Sequence, residues 1–125
     1  MEHLALKYNS SLEEFCNKLC SQHNFTQFKF DHENETEWGV SHYENLIINI
    51  SRPYEEGTLQ EWDSSVPDNC NFGISVTSNK KIKQDSIDLL GNLLAKTFKT
   101  VVYHHRTHIR PGKNKKREGF YKNVP

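Results

Sequence analysis

The sequence has no run of about 18 apolar residues, the length that a helix needs to cross a bilayer. Its first residues do not combine a basic stretch with an apolar one, so we expect no secretion signal and a cytoplasmic location. Only three cysteines are present, and an odd number without such a signal predicts reduced thiols. These deficits argue against a membrane protein and against a disulfide-stabilised secreted scaffold.

The sequence also lacks internal repeats and any recognisable catalytic or cofactor-binding motif, so we expect no enzymatic activity and no cofactor. Cys16, Cys20 and His23 have a spacing that metal sites use, but they share a helix face with apolar residues, which favours the core over a metal site. We therefore expect no bound metal.

Polar composition does not make this a disordered chain. Mean hydropathy is −0.82, yet aromatic residues form 11% of the sequence. The 125 residues suit one domain with one core. We expect that domain to span residues 1–112, followed by a basic tail at 113–125 that is either flexible or forms a short edge strand.

Two segments have the spacing of amphipathic helices. Ser11 and Glu14 form a capping box ahead of an apolar stripe over residues 12–20. The second segment covers residues 85–100, and Asp85 is suited to cap its first turn. Its apolar residues fall on one half of a helical wheel and are Ile87, Leu89, Leu90, Leu93, Leu94 and Phe98.

Other segments alternate apolar and polar residues with the period of a strand. They cover residues 28–30, 37–42, 45–51, 71–78 and 100–109. A long loop rich in Pro, Gly and Ser lies between the third and fourth of them. The order α-β-β-β-loop-β-α-β predicts an α+β domain of two layers, with an antiparallel or mixed sheet of about five strands covered by two helices.

Net charge is zero, but the charges are segregated along the chain. Residues 31–63 carry nine acids and one arginine, a net charge of −8, whereas residues 79–125 carry a net charge of +9. Aromatic residues surrounded by charges of one sign are typical of specific protein interfaces. The predicted partner-binding residues of the acidic segment are Glu33, Glu35, Glu37, Tyr54, Glu55, Glu56, Glu61, Trp62 and Asp63. An ordinary solvated acidic surface is the alternative interpretation.

The basic third of the chain permits two other functions. His104, Arg106 and His108 share one strand face, which on an open sheet could bind phosphate or cleave RNA by acid–base catalysis. Lys113, Lys115, Lys116 and Arg117 could add phosphate contacts. The alternatives are a nucleic-acid-binding module and a hydrolase that uses His104 and His108. Zero net charge and the acidic segment argue against a nucleic-acid partner.

The chain resembles the small cytosolic immunity proteins of bacterial toxin–antitoxin and contact-dependent inhibition systems. The resemblance lies in the size, the α+β order, the missing catalytic motif and the acidic, aromatic-bearing loop at residues 53–70. It implies a non-enzymatic protein that binds and neutralises one cognate toxin domain, for example a nuclease, and often covers or adjoins the active site of that domain. It carries no residue assignments, and the sequence does not indicate an oligomeric state.

Overall fold

The computed structural model describes residues 1–106 and 116–122, which form seven strands and three helices of an α+β fold. The strands are β1 (Glu2–Leu6), β2 (Lys29–His32), β3 (Thr36–Tyr43), β4 (Leu46–Pro53), β5 (Phe72–Thr77), β6 (Val102–Arg106) and β7 (Gly119–Tyr121). The helices are α1 (Leu12–Gln22), α2 (Thr58–Trp62) and α3 (Gln84–Phe98). Within the described residues, no helix combines the length and the apolar content needed to cross a membrane.

All neighbouring strands are antiparallel, in the order β2-β3-β4-β5-β1-β6-β7. The predicted five strands are too few because β1 and β7 were not counted. β1 lies between β5 and β6, with Leu4 opposite Ile74 on one side and His104 on the other. Its sequence EHLAL has no β-branched residue, and Leu4, Ala5 and Leu6 are all buried, so no alternation marks it as a strand.

β7 is the edge strand beside β6, so residues 119–121 follow the edge-strand alternative for the tail. Its Tyr121 is buried and donates a hydrogen bond from its hydroxyl to Asp88 Oδ1 of α3, at 2.8 Å. Gly91 of α3 makes room for the ring, because a Cβ at this position would lie 2.4 Å from it. Residues 107–115 and 123–125, and with them the expected domain boundary after residue 112, lie outside the described residues.

Helices α1 and α3 cover one side of the sheet, which we call the helix face. As predicted, Ser11 caps α1, and its Oγ accepts a hydrogen bond from Glu14 N at 3.1 Å. Phe15 of α1 is the centre of the core, stacked between Phe72 at 4.2 Å and Phe98 at 3.9 Å between ring centroids.

The limits of α3 differ from the prediction. The N-cap is Lys83, two residues before the predicted capping residue Asp85, so Asp85 lies inside the first turn. Leu89 was placed on the apolar half of the helical wheel, but it is 54% exposed. The sheet therefore covers a narrower stripe of α3 than the wheel predicts.

The opposite side of the sheet, which we call the loop face, is partly covered as well. Helix α2 and the segment that follows it pack a second apolar cluster onto β1, formed by Ala5, Leu59, Val66 and Cys70. The predicted two-layer arrangement is therefore incomplete, because the long loop adds a partial third layer. Short loops could not reach across this face, which explains the length of the connection between β4 and β5.

Candidate protein-binding surface

Residues 54–70 are anchored across the loop face. Leu59 of α2 is buried in the second apolar cluster. It fits there because β5 carries Gly73 beneath it, where a Cβ would lie 3.0 Å from Leu59 Cδ2. With Leu59 facing the sheet, Glu61 and Trp62 of the same short helix are exposed to solvent.

Two large aromatic side chains are exposed on this anchored segment. Tyr54 is 51% exposed and Trp62 is 50% exposed. Glu55, Glu56 and Glu61, which lie between them in the chain, are exposed as well. The structure thus leaves exposed the aromatic and glutamate residues that the sequence singled out in the loop.

The turn between β2 and β3 extends the acidic residues beyond the loop. Glu33 and Glu35 are exposed in this turn, and Tyr54 N donates a hydrogen bond to Glu35 O at 3.1 Å. The turn and the start of the loop are therefore neighbours, although 19 positions apart in number. We call the combined set the acidic surface; it consists of Glu33, Glu35, Tyr54, Glu55, Glu56, Glu61 and Trp62.

Glu37 does not belong to this surface. It is half-buried within β3, where it lies opposite Arg52 of β4. The spacing of Glu33, Glu35 and Glu37 would put all three on one face of a strand, but β3 begins only at Thr36, so Glu33 and Glu35 lie in the turn before it.

Asp63 is occupied by groups of the chain itself. Its carboxylate accepts hydrogen bonds from Ser65 N at 2.9 Å, from Ser65 Oγ at 2.7 Å and from Arg117 Nη2 at 2.7 Å. Partial burial on its own would raise the pKa of Asp63, but the hydrogen bonds from Ser65 and the Arg117 cation outweigh it and lower this pKa to about 2. Asp63 therefore fixes the loop internally.

Arg117 and Lys116 hold the same loop from the C-terminal side, and we call this pair the C-terminal clamp. Arg117 is buried and donates from its backbone N to Ser65 O at 2.8 Å and from Nε to Ser65 Oγ at 3.0 Å. Lys116 Nζ donates to Val66 O at 3.0 Å and lies 3.2 Å from Asp68 Oδ1. Two residues proposed for phosphate binding thus bind the long loop of their own chain.

His104 does not lie on an open face. It is 7% exposed on the helix face, and its Nε2 lies 2.7 Å from Oε1 of Glu2, which is also buried. Phosphate binding by this strand requires an open face, and at His104 that face is covered because α3 packs against β6. His104 is thus part of a buried polar pair.

His105 points to the other face, as the strand alternation requires. Its ring stacks on His3 of β1 with 5.1 Å between ring centroids, and its Nδ1 lies 3.4 Å from Asp63 Oδ2. Burial, assisted by the charge of Arg117, lowers the pKa of His3. Arg106 ends β6 opposite Glu2, whereas His108, Lys113 and Lys115 lie outside the described residues.

A cavity of about 450 Å³ adjoins the acidic surface where β4 ends and β5 begins. Tyr54, Glu55 and Glu56 line it from one side, together with Arg52 and Cys70. Burial raises the pKa of the Cys70 thiol to about 11, so the thiol stays protonated at neutral pH and is a poor nucleophile.

The described residues contain no group of three or more His, Cys, Asp or Glu side chains that could hold a metal ion. Of Cys16, Cys20 and His23, which have the spacing of a metal site, Cys16 is a core residue, and burial raises its pKa to about 12.

Comparison of the chain with protein-family models, with curated proteins and with solved structures finds no match, so the surface has to be interpreted from its own chemistry.

Proposed function

We propose that this protein is a non-enzymatic binding protein that recognises a basic partner protein through the acidic surface. The observation that carries the proposal is the exposure of Tyr54 and Trp62 among glutamates on a segment that the fold holds in place. Large exposed aromatic side chains supply most of the binding energy in many interfaces when a partner buries them.

The anchoring of the segment supports this role. Leu59 fixes the segment to the sheet, Asp63 is bound by Arg117, and Tyr54 is tied to the β2–β3 turn. A surface that is already ordered loses less conformational entropy when it binds, so more of the contact energy appears as affinity. The glutamates would attract a basic partner at long range and increase the association rate.

The more specific form of the proposal is an immunity protein that acts in the cytoplasm and neutralises a cognate toxin domain. A nuclease fits this form, because a surface that binds nucleic acid is basic and would be attracted to the glutamates. The proposed phosphate-binding and hydrolase functions gain no support from His104 and Arg117, since these side chains bind Glu2 and Asp63.

The proposal can be tested by surface plasmon resonance against the product of the adjacent upstream gene, with growth protection measured in parallel. Replacing Glu55, Glu56 and Glu61 by Lys should lower the association rate at least about tenfold at low salt and weaken its salt dependence. Trp62→Ala should mainly raise the dissociation rate, because it removes an aromatic anchor, with an expected affinity loss of at least about thirtyfold.

A matched control reverses three exposed acids outside the acidic surface, Glu13, Glu44 and Glu118, and changes the net charge by the same amount. It should leave association close to wild type, which separates a local effect from one of net charge. Wild-type protein that neither binds nor protects would overturn the toxin-neutralising form. Binding that survives both sets of substitutions in the acidic surface would place the interface elsewhere.

A further inference from the structure

Among the residues that the structure describes, no strand pairs with the outer edge of β2. All four residues of this strand are exposed, and Phe30 is 49% exposed with its ring beside Phe28 and against Gly39. An exposed edge strand can accept another strand through its free backbone groups, and charged side chains commonly prevent this. On β2 the charged side chains at the centre are Lys29 and Asp31.

The register of β2 shows which backbone groups point away from β3. Glu33 N donates to Thr36 O at 2.8 Å, and the same register pairs Asp31 with Trp38 and Lys29 with Val40. Because antiparallel residues alternate between inward and outward hydrogen bonding, Lys29 and Asp31 direct their N–H and C=O groups to β3. Phe30 and His32 therefore direct theirs to the open edge, where His32 N donates to Asp31 Oδ1 at 2.8 Å.

These two facts restrict how two copies of β2 could pair about a twofold axis. Outward-directed residues must face each other, so the axis passes through Lys29, Phe30, Asp31 or His32. An axis at His32 puts Asp31 opposite Glu33 of the second copy, which are like charges. An axis at Lys29 or Asp31 puts like charges opposite each other. An axis at Phe30 instead places Lys29 opposite Asp31 of the second copy, and it does so twice.

We propose that β2 pairs antiparallel with β2 of a second copy of this chain, with Phe30 on the twofold axis. Complementary charges select this occupant and this register: both ion pairs occupy the non-hydrogen-bonded positions, where opposed Cα atoms approach to about 4.5 Å. The two Phe30 rings meet at the axis on the helix face, and the two sheets become continuous. The register centred on Asp31 also places Lys29 opposite Glu33, but it brings the two Asp31 carboxylates together, whereas the register centred on Phe30 opposes no like charges.

Sedimentation velocity over a concentration series at low salt tests the pairing. The wild type should pass from the monomer mass of 14.6 kDa to twice that mass. Lys29→Asp and Asp31→Lys should each raise the dimer dissociation constant at least about tenfold, because each turns two attractions into two repulsions. The double variant Lys29→Asp/Asp31→Lys should restore it to within about threefold of wild type.

Lys81→Asp is the matched control, since it makes the same charge change at an exposed position outside β2 and should leave dimerisation unchanged. Hydrogen exchange of the wild type gives a second measurement: the amide of Phe30 should become protected as concentration rises, whereas those of Lys29 and Asp31 should not change. A wild type that stays monomeric at every concentration would overturn the proposal. So would a dimer that the single variants do not weaken, or one without concentration-dependent protection at Phe30.

Discussion

The carboxylate of Asp63 satisfies several groups at once. It accepts two hydrogen bonds from Ser65 and one from Arg117, and it lies near His105 on the neighbouring strand. An arginine as buried as Arg117 would be unstable without such a partner, since an uncompensated buried charge is strongly destabilising. A single acidic side chain therefore lets a basic residue from the C-terminal segment enter the loop face.

Replacing Asp63 by Asn should destabilise the protein in a pH-dependent way. The folded-state pKa of Asp63, about 2, lies below the ordinary value of 3.8, so its stabilising effect is present above pH 3.8 and is lost as pH falls towards 2. Because the substitution would leave the buried Arg117 cation without a counter-charge, we expect a loss of about 3 kcal/mol at pH 7.

Urea denaturation of wild type and Asp63→Asn between pH 7 and pH 3 measures the effect. The difference in unfolding free energy should shrink over the lower part of this range. Asp68→Asn, in the same loop, is the control, because the Asp68 carboxylate is largely exposed and should have little effect. A difference that stays constant down to pH 3 would show that the ion pair is not its cause.

The pairing of Asp63 with Arg117 could not be predicted from the sequence. Opposite charge excesses in two segments were visible, but nine acids and twelve basic residues allow many pairs, and these two residues are 54 positions apart. The charge pattern favours exposed positions for both residues, so it predicts a partner protein for Asp63 and a phosphate for Arg117. Only the folded chain brings them within 2.7 Å.

Among whole elements, helix α3 shows how far its apolar residues differ in burial. Leu94 is buried on the helix face, whereas Leu89 is exposed although it lies on the same half of the helical wheel. Apolar periodicity predicted α1 and α3 with limits within a few residues of those observed, because helix spacing and capping depend on residues that are close in the chain. It missed β1, which is buried on both sides and has no alternating pattern.

Leu94→Ala and Leu89→Ala should therefore differ sharply. Loss of the buried side chain and the cavity it leaves should cost about 2–5 kcal/mol of unfolding free energy, whereas the exposed position should change it by about 0.5 kcal/mol or less. Thermal and urea denaturation of both variants give the comparison. Equal effects of the two substitutions would mean that α3 is rotated relative to the sheet.

For the whole molecule, the described C-terminal segment is a structural element that contacts both sides of the sheet. Tyr121 joins the core on the helix face, and Arg117 holds the loop on the other face. The sequence allowed a flexible tail, and removal of a flexible tail would leave the fold intact. Because Tyr121 and Arg117 are buried, we instead expect its removal to destabilise the fold.

Tyr121→Ala should lower the melting temperature by at least about 5 °C, because it removes a buried ring and its hydrogen bond to Asp88. Phe120→Ala, at the exposed neighbouring position, should change it little.

Deleting residues 117–125 should in addition release the loop, so that limited proteolysis cleaves within residues 54–70 faster than in wild type. A truncated protein with wild-type melting temperature and cleavage would contradict the role of the C-terminal clamp.

The central position of β1 also has a consequence for how the chain reaches its folded state. Leu6 pairs with Phe72, and Glu2 pairs with Arg106, so β1 finds its two neighbours only after about 70 and 100 further residues have followed it. Contacts between such distant residues require large loops to close before the contacts stabilise the chain, and this slows folding. During synthesis β1 therefore leaves the ribosome long before β5 and β6, and the sheet can close around it only after β6 has emerged.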